Sequence, residues 1–128
     1  MTKMLPKNTS ESYSGWSNYD TWNFKLWLDN DQKTQEMVLD AVKYAHKQFE
    51  KNSDAIHYIR EFLELYAENN APKLENGFYS DVLSASIRSV NYYQIADAYF
   101  FDYLENYNLM KKVKACNAYQ KQILLKSN

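Results

Sequence analysis

Gly15-Trp16-Ser17-Asn18-Tyr19-Asp20-Thr21-Trp22, running on through Asn23-Phe24-Lys25-Leu26-Trp27-Leu28-Asp29-Asn30, decides the reading of this chain. All three tryptophans fall inside it, beside one of only two glycines. Ser17 to Asp20 has the Ser-x-x-acid spacing of a helix start, with a carboxylate suited to the positive helix end. At about 100° per residue, Trp22, Leu26 and Tyr19 share one face, Trp27 lies on the next, and Phe24 and Leu28 on the far side. Only Thr21, Lys25 and Asp29 make a polar strip. A helix apolar nearly all round is buried on most sides. The expected core is therefore Trp16, Trp22, Trp27, Leu26 and Phe24, with the other elements packed around this first helix.

The rest of the chain reads as helices. At 128 residues it is one domain by length, and two glycines and two prolines are too few for a hairpin-rich fold. Residues 1–14 are polar and without periodicity, which predicts a flexible arm ahead of a single domain over 15–128. The boxed helix runs roughly over 18–29. A second is expected over 33–51, with Met37, Val38, Ala41, Val42, Ala45 and Phe49 inward. Ser53 and Asp54 cap a third, to about Asn69, with Ile56, Ile59, Phe62, Leu63 and Tyr66 inward. A loop over 70–77 precedes a fourth helix over 78–89. Asn91 caps a fifth, to about Tyr107; Asn106 and Asn108 suggest a break before a last helix over 109–126. The expected fold is all-α: a compact single-domain bundle of five or six helices.

No chemistry is written in these residues. His46 and His57 have no Cys or His at metal spacing and read as surface or half-buried side chains. Asp29 and Asp31 lack the glycine and the later glutamate of a calcium loop, and read as a helix end and the next cap. Phosphate-loop, dinucleotide and nucleophile-elbow signatures are missing. Cys116 has Lys112 and Lys114 nearby but no histidine, and reads as a plain cysteine. The expectation is a non-enzymatic protein with no cofactor, no metal, no disulfide and no membrane-spanning run, placed in the cytoplasm.

Charge and aromatics say more. Residues 51–110 carry a balance of −5, and residues 111–128 carry five lysines and no acid. The whole chain, at −1, is neither a DNA mimic nor a nonspecific nucleic-acid binder. Tyr92, Tyr93, Tyr99, Tyr103 and Tyr107 crowd one predicted helix. Some must reach the surface, where tyrosines act as rigid interface anchors. The acids around them repel phosphate, which favours a protein partner or self-association. Glu61, Glu64 and Glu68 form a ridge that reads as a solvated face, or in its functional reading as a docking strip for a basic partner surface. The competing reading is a core lined by tyrosines with hydroxyls at its rim. Lys111, Lys112, Lys114 and Lys121 are the alternative site, for nucleic acid, although lysine alone reads bases poorly.

The box, with Gly77-Phe78-Tyr79-Ser80-Asp81-Val82-Leu83 and Val90-Asn91-Tyr92-Tyr93-Gln94-Ile95-Ala96, resembles an uncharacterised family of small phage and mobile-element proteins. These carry a Gly-Trp-Ser-Asn-Tyr-acid-Thr-Trp box near the N-terminus. The resemblance covers roughly residues 15–96 and implies a genomic setting more than an activity. In that setting the expected role is binding and inhibiting a host protein such as a restriction or CRISPR nuclease. No catalytic residue carries over.

Overall fold

The structure, a computed structural model, describes residues 13–127. Five helices follow in order: α1 (Tyr19–Asp29), α2 (Gln32–Gln48), α3 (Asn52–Asn70), α4 (Phe78–Ser89) and α5 (Tyr92–Ser127). No strand occurs among the described residues. The first twelve residues of the expected arm lie outside them. Tyr13, at its end, is buried. There Ser14 (φ 54°) and Gly15 (φ 92°) turn the chain so that Trp16 N–H reaches Tyr13 O at 3.0 Å. A positive φ is cheap for glycine and uncommon for serine.

The core is built by α2, α3 and α5 rather than around the first helix. The expected stripes meet there: Val38, Ala41, Val42 and Ala45 from α2, and Ile56, Ile59 and Leu63 from α3. From α5 come Ile95, Ala96 and Phe100. Phe62 and Tyr66 are half-buried against this cluster, whereas Phe49 is exposed. Helix α3 starts at Asn52, one residue earlier than its expected caps; Lys51 takes the cap position without a side-chain hydrogen bond.

Helix α1 sits on this core with the opposite face from the one its side chains suggest. Its buried residues are Thr21 and Leu28. Trp16 and Phe24 are half-buried against the core and Trp22 is half-buried, but Leu26 is exposed and Trp27 is 67% exposed. The expectation that Leu26 and Trp27 belong to the core is thus corrected. The physical reason is that α1 is nearly as apolar on one side as the other, so burial is set by its polar strip, which has partners only on the inner side.

Helix α5 is unbroken for 36 residues, on the order of 54 Å. The expected break at Asn106 and Asn108 does not occur. Asparagine costs a helix only about 0.7 kcal/mol, far less than proline, so two of them cannot stop one already nucleated. From Glu105 to Lys126 every residue is exposed. The last turns therefore extend past the body as a single helix.

Candidate functional site

The box residues are held by a polar lock between two helix starts. Asn18 Oδ1 caps α1, accepting from Thr21 N–H and Thr21 Oγ1, both at 2.8 Å. Asn91 Oδ1 caps α5 in the same way, accepting from Gln94 N–H at 3.0 Å. The two caps are then tied together. Asn91 N–H donates to Thr21 Oγ1 at 2.8 Å, and Asn91 Nδ2 donates to Ser17 Oγ at 3.1 Å. Ser17 gives both its N–H and its hydroxyl to Gln94 Oε1, and Gln94 Nε2 reaches Gly15 O. Asn18 Nδ2 donates to Ser89 O at 2.9 Å, at the end of α4. Thr21, with no exposed surface, is satisfied on both sides. The helix start is therefore Asn18, and Ser17, which has the spacing of a cap, serves a different helix.

The polar strip continues inward. Lys25 bonds Asp29 and lies 4.6 Å from the Tyr99 ring centre and 5.8 Å from that of Trp16. Tyr99 donates its hydroxyl to Asp29 Oδ1 at 2.6 Å. Burial pushes the Tyr99 hydroxyl pKa up, and the bond to the Asp29 carboxylate and its charge add to this. Asp31 caps α2 by accepting from Lys33 N–H, the role expected for it.

A surface with room for a ligand lies on the other side of α1. A cleft of about 280 Å³ opens between α1, α3 and α4, lined by Phe24, Trp27, Tyr66, Leu83, Ile87 and Val90, with Asp20 among its polar lining. Such a space is at the small end for a drug-sized ligand and suits one or two side chains. Its outer wall, α4, buries none of its residues. Phe78 and Tyr79, at the start of α4, are among the most exposed aromatics of the chain. Tyr92 lines the cleft and donates its hydroxyl to Ile87 O at 2.7 Å. Its pKa is pushed up to about 12 by burial, then by the charges of Glu64, Glu68 and Asp20.

These tyrosines predict an alkaline limit. Folding holds Tyr92 and Tyr99 neutral, while an unfolded tyrosine ionises near pH 10. Between pH 10 and about 12 the unfolded chain binds fewer protons, so stability present below pH 10 falls as pH rises. The urea midpoint is expected to drop over that window. Tyr99→Phe should cost about 1 kcal/mol at neutral pH and make the alkaline drop shallower. An unchanged alkaline slope in that variant would count against the assignment.

The residues expected to bind a partner do not all gather on one surface. Glu61 pairs with His57, and Glu64 with Arg60, each one turn away on α3. Glu68, exposed, borders the neighbouring hollow with Leu83 and Ile87. Tyr92 is buried, and Tyr99 and Tyr103 are half-buried. Tyr103 and Tyr107 pack edge-on against His46, with ring centres 5.5 and 4.7 Å away. Tyr93 is exposed. Tyr92 is thus part of the core cluster, and Tyr99 and Tyr103 pack against it. Lys111, Lys112, Lys114 and Lys121 are all exposed but spread over about half the circumference of α5, with Lys111 over the Tyr107 ring. No group of three His, Cys, Asp or Glu stands together as metal ligands among the described residues, and no helix there is long and apolar enough to cross a membrane. Sequence reasoning misses Trp27, Phe78 and Tyr79 as surface residues. The signal for the latter two is Phe-Tyr directly after Gly77 in a helix too short to hide both rings.

Residues 9–99 match the model of a family described as a family of unknown function (DUF7249). No curated protein and no solved structure matches the chain.

Proposed function

The chain belongs to this family of unknown function, and from that premise we propose that it is a non-enzymatic interaction protein whose cleft between α1, α3 and α4 receives apolar side chains of a protein partner. The observation that carries this reading is Trp27, 67% exposed at the edge of an apolar cleft whose outer wall, α4, buries nothing. Exposed aromatics around a small desolvated hollow are the usual anchors of protein interfaces. Asp20, Glu64 and Glu68 act on Tyr92 at the cleft, so the partner segment carries basic residues beside its apolar ones. Proteins that handle nucleic acid carry such basic surfaces. A host nuclease of restriction or CRISPR type is therefore the partner class proposed, with inhibition as the outcome.

The test is a tagged pull-down from the host lysate, with and without nuclease treatment, using wild type, Trp27→Ala and Phe78→Ala. The expected result is one stoichiometric protein that survives nuclease. Its binding should weaken roughly 30-fold or more in Trp27→Ala. Both variants should keep wild-type helicity, because these side chains stand outside the core. Recovery that vanishes with nuclease, or binding indifferent to both substitutions, would overturn the proposal. In the first case the lysines of α5 become the site.

A further inference from the structure

We propose that α5 is a self-association element: the exposed half of α5 pairs antiparallel with the same helix of a second copy. This surface is separate from the cleft and does not depend on it. At about 100° per residue, Leu109, Val113, Cys116 and Gln120 lie within an arc of about 80° that also holds Asp102 and Glu105. Leu124 and Met110 lie just beyond one edge of that arc, by about 20° and 60°. The steps from 102 to 120 are all of three or four residues, the pattern of a two-helix seam. Leu109, Met110, Val113 and Leu124 are all exposed, between 45% and 68%. A row of this kind on a helix outside the body is covered in a stable assembly.

Charge selects the occupant and its direction. The segment after Met110 carries five lysines and no acid, whereas Asp97, Asp102 and Glu105 sit near the base of the same helix. A parallel pair sets lysines beside lysines and acids beside acids. An antiparallel pair centred near Leu109 and Val113 sets Lys121 and Lys126 of each copy beside Asp102 and Asp97 of the other. The apolar side chains of both copies then meet in the middle. The continuous helix keeps this segment from folding back on its own base, so the complementary charge must come from a second chain.

The full chain is tested by sedimentation velocity over a concentration series, with absorbance at 260 nm monitored. Wild type should reach twice the 15.2 kDa monomer mass. Leu109→Asp/Val113→Asp should dissociate it, raising the dissociation constant roughly 100-fold with helicity retained. Lys121→Glu/Lys126→Glu and Asp97→Lys/Asp102→Lys should each be monomeric alone, and a one-to-one mixture of the two should restore the dimer. In an antiparallel pair the two Cys116 side chains are offset along the axis, so mild oxidation should leave the dimer uncrosslinked. A monomer at every concentration, a dimer indifferent to charge reversal, rapid Cys116 crosslinking, or mass that tracks bound nucleic acid would each overturn the proposal.

Discussion

Phe100→Ala is expected to cost about 3–5 kcal/mol of folding stability. Phe100 is 1% exposed in the cluster where α3 and α5 meet, with the His46 ring centre 6.2 Å away and that of Phe101 5.5 Å away. Removing the ring takes away transferred apolar surface and leaves a space that continuous helices cannot collapse to fill. For a domain whose total stability is on the order of 5–15 kcal/mol, that loss moves a large fraction of molecules toward unfolding. Urea unfolding followed by circular dichroism measures it, as a fall in midpoint at constant slope. Trp27→Ala is the contrast. A residue this exposed should cost less than about 1 kcal/mol despite its larger side chain. If the two substitutions cost the same, the core has been placed on the wrong helices.

Asn18→Ala is expected to cost roughly 2–3 kcal/mol, although the side chain contributes little apolar area. It loses the cap of α1, worth about 1 kcal/mol or somewhat more. It also loses the Nδ2 bonds to Ser89, which hold the end of α4 against the start of α1. Thr21 Oγ1, fully buried, would be left without its acceptor. Asn18→Asp separates the parts: it keeps the acceptor for Thr21 and removes only the donor to Ser89, so about half the loss should remain. Thermal unfolding of both variants decides. A loss below about 0.5 kcal/mol for Asn18→Ala would mean that the lock merely decorates the surface.

The legibility of the fold differs from element to element. Helices α2 and α3 are readable because each has one apolar stripe and a polar remainder, and Val42, Ile59 and Leu63 are buried as their spacing requires. Asn91 is readable as a cap because its chemistry is local. Helix α1 is not readable in orientation. Its periodicity ranks faces by side-chain apolarity, but Thr21 turns inward to accept from Asn91 N–H, 70 residues away. No single-helix argument reaches that partner. The site is legible in part. Tyr92, expected as a partner residue, lines the cleft from a buried position, and Glu64 and Glu68 act on it electrostatically. Trp27 falls in the expected core for the same reason that α1 is expected the wrong way round. The outward half of α5 reads as a separate helix only when two asparagines are given the weight of a proline.

The lock also dictates an order of events at the ribosome. Residues 15–18 find their partners at Ser89 and Gln94, 71 to 79 positions further along the chain. Until that stretch has been made, Ser17, Gly15 O and Asn18 Nδ2 lack these partners, although Asn18 Oδ1 can already cap α1. The segment that carries all three tryptophans thus waits for residues 89–94, just ahead of the core residues Ile95, Ala96 and Phe100, before its lock can close. Until then a nascent chain leaves Trp16 and Trp22, half-buried in the folded domain, open to solvent. For a protein of this size, docking of the N-terminal box is then the step that separates a protected newborn chain from an aggregation-prone one.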